Sequence, residues 1–143
     1  MLFTTTDLAR GAGFKRRSNW VNECYRYDLP FSDGVRVGNQ RRYGAVDLAK
    51  SLLMGRLRMF GVPTSKQAEL LKLIDEHALA EAIDQHQARE IETVIVGLPS
   101  WDQLEDYTGI FTSREAAVAA LEEADFIFIE IGDYVDAHVR GIL

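Results

Sequence analysis

Cysteine is almost absent from this chain of 143 residues: Cys24 stands alone, which excludes an internal disulfide and any cysteine-rich zinc site. Proline is scarce too, and the three present, Pro30, Pro63 and Pro99, fall where elements read as ending rather than inside them. No apolar run approaches the length that spans a bilayer, and Met1-Leu2-Phe3 leads straight into Thr4-Thr5-Thr6-Asp7 without the charged and apolar regions of a signal peptide. The expectation is an intracellular, cytoplasmic protein with no membrane partner. The sequence also lacks a glycine-rich phosphate loop, a serine nucleophile elbow and a Cys–His arrangement. His77 and His86 lie nine apart and His138 is remote, so neither spacing makes a metal pair on one helix face. Acidic pairs such as Glu122-Glu123 read as solvated helix surface. No catalytic, metal or cofactor set emerges, and an enzyme is not expected.

Charge is present but unevenly spread. Residues 1–62 carry 11 Lys+Arg against 5 Asp+Glu, a balance of +6, while residues 63–143 carry 5 against 17, a balance of −12; together they give the chain's −6. A basic half suits phosphate and an acidic half some other task. The division falls near a change of pattern, giving an expected domain over 1–75 and a second region over 76–143.

In the basic half, Thr4 and Asp7 stand at capping-box spacing before Leu8, Ala9 and Ala12, and Gly13 is placed to end a short helix. The stretch FKRRSNWVNECYRYDLP follows. Trp20, Val21, Cys24 and Tyr25 form an expected buried stripe at helical spacing, and Lys15, Asn19, Asn22 and Arg26 an opposite one. Cations and amides of that kind pair with phosphates and with base edges in the major groove, and Arg16, Arg17 and Ser18 lie at the same helix start. Val35 and Val37 alternating with Arg36, then Gly38-Asn39 and Gln40-Arg41-Arg42-Tyr43, read as a β-hairpin whose two turn residues both tolerate positive φ. Arg36, Asn39, Arg41 and Arg42 project from that ribbon, as a wing suited to phosphate or minor-groove contact. From Ala45 a helix carries Val46, Ala49, Leu53, Leu57 and Phe60 on one face, with Leu48 and Leu52 widening it and Gly61 closing it. Gly55 inside this helix costs about 1 kcal/mol relative to alanine, a loss that packing must offset. Thr64 or Ser65 caps a further helix that continues or bends into 78–87.

RRYGAVDL, then LRMFGV, then TSKQAELL, together with Leu8-Ala9-Arg10-Gly11-Ala12-Gly13-Phe14 upstream, resemble the signature of the MerR family over roughly residues 3–73. The resemblance implies a winged helix-turn-helix that binds double-stranded DNA as a homodimer across two half-sites. It puts Arg41 and Tyr43 at wing positions that contact the DNA backbone, and residues 15–22 at the start of the recognition helix. The chain departs from the family at Gly44, where a serine N-cap is usual, and in lacking the long dimerisation helix and metal-binding cysteines.

The acidic half has a β-branched run from Glu92 to Gly97 closed by Gly-Leu-Pro, a helix started by Ser113, and the clearest strand of the chain over 125–131. After it, Val135, Val139 and Ile142 suit a helix capped by Asp133, with a strand as the alternative. Strand–helix–strand order implies a small α/β unit with a two-stranded sheet, in which parallel strands are one option. Trp101, Tyr107 and Phe111 read as packing a long connection onto that sheet. The whole is thus expected to be α+β, with self-association as the task of the acidic half. The leading function is that of a sequence-specific DNA-binding transcriptional regulator or phage-type repressor. The alternative is a protein-interaction adaptor on the same fold; no residue cluster argues for a small-molecule effector.

Overall fold

The computed structural model describes residues 2–99, 108–122 and 126–140; Trp101, Tyr107, Glu123, Asp125 and Ile142, singled out above, lie outside them. The chain is α+β, with helices and two three-stranded antiparallel sheets, and divides into two compact units, Met1–Lys72 and Leu73–Leu143.

In the first unit, α1 (Thr5–Gly11) starts on a complete capping box: the Thr4 hydroxyl accepts the Asp7 N–H at 3.1 Å, and the Asp7 carboxylate accepts the Thr4 N–H at 2.8 Å. The chain leaves α1 through Gly13, whose φ of +84° no β-carbon favours. Helix α2 (Arg17–Tyr27) begins later than the periodicity implies, so Lys15 precedes it. It ends on Asp28 in the left-handed conformation, two residues before Pro30. The hairpin β2 (Val35–Val37) and β3 (Gln40–Tyr43) follows, in register Val35↔Arg42, Arg36↔Arg41 and Val37↔Gln40. Only Gly38 of the turn pair has positive φ, the pattern of a II′ turn rather than one in which both residues are left-handed. A two-residue strand, β1 (Phe3–Thr4), pairs with the other side of β3 and gives the order β1-β3-β2.

Helix α3 (Ala45–Met59) forms the centre of this unit, with Leu48, Leu53 and Leu57 fully buried, and α4 (Thr64–Lys72) packs against it. Crossing of α1 and α3 explains the helical glycine. A β-carbon on Gly55 would run into the Gly11 carbonyl oxygen, and one on Gly11 would stand 2.7 Å from Ser51 Oγ. Three expected core residues are at the surface instead: Val21 is 46% exposed, Tyr25 92% and Phe60 57%. For α2 the reason is rotational. Trp20 slots edge-on between Phe31, at 5.1 Å between ring centres, and Tyr43, at 6.4 Å, and with Trp20 inward the helix turns Val21 and Tyr25 outward.

The second unit opens with α5 (Glu76–Gln87), separated from α4 because Asp75 caps a new helix by accepting the Ala78 N–H at 3.1 Å. Its sheet has the order β5-β4-β6, from β4 (Ile95–Pro99), β5 (Gly109–Phe111) and β6 (Phe126–Glu130), with both neighbours antiparallel to β4. This corrects the expected two-stranded α/β arrangement. Helix α6 (Arg114–Ala120), capped by Ser113, does connect two strands of like direction, but these are β5 and β6, which flank β4. Strand β4 also starts later than expected and runs on through Gly97. Phenyl carbons of Phe111, Phe126 and Phe128 lie 2.9–3.2 Å from where a Gly97 β-carbon would be, so only glycine leaves room for the three rings. The last element is a helix, α7 (Gly132–Val139), and its N-cap is Ile131 rather than Asp133.

Gly55→Ala tests the α1–α3 crossing. The clash outweighs the gain of about 1 kcal/mol in helix propensity, so a net destabilisation of about 1–2 kcal/mol is expected in urea unfolding. An unchanged or raised midpoint would show that the two helices separate without cost.

Candidate functional site

The residue order that builds α2, β2 and β3 leaves an irregular link, 28–34, whose backbone groups need partners outside regular structure. Two buried polar residues on α3 provide them. The Asp47 carboxylate accepts the Ser32 N–H at 3.0 Å and also the Ser32 hydroxyl, which in turn accepts the Gly34 N–H at 3.2 Å. Lys50, only 1% exposed, donates to the Pro30 carbonyl at 2.9 Å. At the other end of α3, Arg58 donates to the Ala12 carbonyl at 3.1 Å and lies over the Phe14 ring at 4.0 Å, which fixes the turn between α1 and α2. Together with Trp20 these contacts position α2 and the hairpin on one scaffold.

Where they meet is a groove of about 330 Å³. Arg17 from the first turn of α2 lines one wall, and Arg36, Asn39, Gln40 and Arg41 of the hairpin line another. Thr4, Thr5 and Thr6 complete it. Strand alternation accounts for the pair of hairpin arginines: Arg36 and Arg41 are directly opposite in the ladder and so project from the same face. Like charges so placed repel. Arg41 is partly restrained by donating to the Asp33 carbonyl. Among the described residues, no carboxylate pairs with Arg17, Arg36, Arg41 or Arg42, nor with Lys15, Arg16 or Arg26. Three guanidiniums, two side-chain amides and threonine hydroxyls around an open groove offer positive charge and hydrogen-bond donors of the kind that suit an anion with several oxygens.

Of the residues singled out in the sequence, the structure brings Arg17, Arg36, Asn39 and Arg41 together at this groove. Ser18, Asn19, Asn22 and Arg26 are exposed along α2, with Arg26 over the Tyr27 ring at 5.3 Å, and Lys15 and Arg16 are exposed just before it. Arg42 is half-buried and lies on the opposite face of the hairpin from Arg41. Tyr43 is 8% exposed and packs on Trp20, so its ring supports the hairpin from within. Gln40 and Thr4–Thr6 enter the site unannounced. The threonines arrive because β1 pairs with β3, and a two-residue strand leaves no periodicity to read.

Cys24 faces inward on α2. Burial, reinforced by the neighbouring Glu23 charge and opposed by a backbone hydrogen bond, pushes its thiol up from 9.0 to about 12. The half-buried thiol is thus held in its neutral form at neutral pH.

A scan against protein-family models and a search of curated proteins find no match to this chain.

Asp47→Ala would leave the Ser32 N–H and hydroxyl without their acceptor, and a loss of about 1–3 kcal/mol is expected, with faster amide exchange at Ser32. If exchange there is unchanged, the link does not depend on Asp47. For Cys24 the sign follows from its raised pKa. The thiol is neutral in both states below pH 9.0, and above it the unfolded chain ionises first. Its contribution is therefore present below pH 9.0 and lost as pH rises towards about 12. The unfolding midpoint of the wild type should fall more steeply over that window than that of Cys24→Ser; parallel curves would contradict the assignment.

Proposed function

We propose that the protein binds double-stranded DNA in a sequence-specific manner, as a homodimeric transcriptional regulator or phage-type repressor. The observation that carries the reading is the convergence of Arg17, Arg36 and Arg41 on one open groove without an acidic partner among the described residues. In this reading α1 and α2 are the helix-turn-helix pair, α2 is the reading helix, and β2–β3 is the wing, in the manner of MerR-like proteins. Arg17, Arg36 and Arg41 hold a phosphate where the wing approaches the start of the reading helix. Ser18 and Asn22, exposed one turn apart on α2, meet base edges; an amide at that position suits the N6/N7 pair of adenine. One such module covers a short half-site, so a two-fold dimer supplies the remaining specificity, with the acidic unit as its assembly region. The negative charge of residues 63–143 repels DNA and confines contact to the basic side.

One observation favours the adaptor reading. Val21 and Tyr25 on α2, and Val35 and Val37 on the hairpin, are exposed apolar groups of the kind that also suit a protein partner. Gel retardation at several salt concentrations separates the two. Arg17→Ala and Arg41→Ala should each weaken binding to all duplexes and lower the salt slope by about one unit. Asn22→Ala should instead relax the sequence preference at one base pair by about 1–3 kcal/mol and leave the salt slope unchanged. Failure of the full chain to retard any duplex at low salt would end the DNA reading. Selection of bound duplexes from a random library should return a palindrome, and a non-repeated motif would speak against the dimer.

A further inference from the structure

The second unit assembles a group of side chains that the histidine spacing does not reveal, because its members come from two helices. His86, 9% exposed, lies in the last turn of α5, and Asp133 and Asp136 lie three apart on α7 and therefore on one face. His86 Nδ1 is 3.3 Å from Asp136 Oδ2, and Nε2 is 4.0 Å from Asp133 Oδ1. One ligand atom from each residue lies within 4.8 Å of the other two. The ring is fixed from the α7 side. A β-carbon on Gly132 would stand 3.0 Å from both Cε1 and Nε2, so glycine there allows the first turn of α7 to close on the imidazole. Neither carboxylate is used to cap its helix, since the N-cap of α7 is Ile131. Asp133 is 81% exposed on its side chain, which leaves the cluster open to solvent on one side, while Asp136 is 20% exposed.

We infer that His86, Asp133 and Asp136 bind a divalent transition-metal ion, with Zn²⁺ as the ion that fits the donor set. An imidazole nitrogen favours a transition-metal ion over magnesium or calcium, which prefer oxygen donors, and suits zinc. Two carboxylates balance the charge of the ion. Three protein ligands with a solvent-facing side leave a fourth position for water, the coordination of an open zinc site. One ion takes one ring nitrogen, and Nδ1 is the one that Asp136 faces at 3.3 Å. Zinc bonds of about 2.0–2.2 Å place tetrahedral ligand atoms roughly 3.3–3.6 Å apart, so Asp133, which stands beside Nε2, has to swing its exposed side chain across to the Nδ1 edge to complete the set. The ion would bridge the end of α5 to the start of α7, joining the two helices within this unit.

The test is calorimetric titration of the full chain, freed of metal by a chelator, with Zn²⁺. Saturable one-to-one binding and a raised melting temperature are expected, since a ligand held by the folded state stabilises it. Co²⁺ in place of Zn²⁺ should give the visible absorption of a four-coordinate site. Asp133→Asn changes an exposed residue and spares the fold; it should weaken Zn²⁺ at least about tenfold, and His86→Asn should weaken it further. His77→Asn, outside the cluster, should have no effect. Absence of saturable binding would overturn the assignment. So would binding that survives both Asp133→Asn and His86→Asn, because the metal would then be held by other surface acids.

Discussion

The first unit depends on two charged side chains buried in α3, Asp47 and Lys50. They lie three residues apart, on one side of the helix, and between them they hold Pro30 and Ser32. Within the link the Leu29 N–H reaches back to the Cys24 carbonyl and the Phe31 N–H to that of Leu29, and Asp47 and Lys50 take up the Ser32 N–H and the Pro30 carbonyl. Hydrogen bonds to charged groups contribute about 1.5–3 kcal/mol each, but burying the charges costs a comparable amount. What the arrangement secures is therefore position more than net stability. α2 and the hairpin are tied to α3 through the same short segment, and Trp20, wedged between Phe31 of that segment and Tyr43 of the hairpin, ties them to each other. Arg17 and the Arg36–Arg41 pair can face one groove only because this link has a fixed length and a fixed course.

That groove is electrostatically unfavourable in isolation. Arg36 opposite Arg41 is a pairing that a hairpin selected for stability would avoid. The hairpin also exposes Val35 and Val37, so it gains little from burial and relies on β1 and on the buried Tyr43 for its attachment. A small ribbon that concentrates cations and gives up its own stability is a poor scaffold but a good contact surface. The same holds on α2, where the first turn carries Arg17 and no acid to complement the helix dipole. In both elements the local electrostatic preference is reversed at the same place, where an anion would correct it.

How much of this could be read in the sequence depended on how local the determining interaction was. The capping box of Thr4 and Asp7, the cap at Ser113 and the alternating Phe–Ile pattern of β6 act within a few residues, and each appears where the pattern places it. Strands β1 and β5 are two and three residues long and exist because β3 and β4 offer edges, which no local pattern records. The break between α4 and α5 rests on a single aspartate cap in a stretch free of glycine and proline, so periodicity alone ran through it. The cluster of His86, Asp133 and Asp136 is further from view again, since its members are separated by most of the second unit and meet only because α7 returns to α5. The basic residues of the site were legible by type, but their grouping was not: Arg41 and Arg42 are adjacent in sequence and lie on opposite faces of the hairpin.

The rotation of α2 is the most informative of these differences. Trp20, Val21, Cys24 and Tyr25 have the spacing of a buried stripe, and hydrophobic pattern is normally what sets a helix's rotation. Here the large indole overrides the smaller side chains, because its slot between Phe31 and Tyr43 leaves one orientation for the helix. Val21 and Tyr25 are then carried to the outer face beside Ser18 and Asn22, with Tyr25 almost entirely in solvent. An exposed valine and tyrosine gain nothing for the isolated unit, and a sequence that served folding alone would place polar residues there. Departures from patterning of this kind concentrate at functional sites. The face that departs is continuous, along the helix, with Arg17 at the groove, so the surface that packing fails to explain and the surface that charge marks out are the same one.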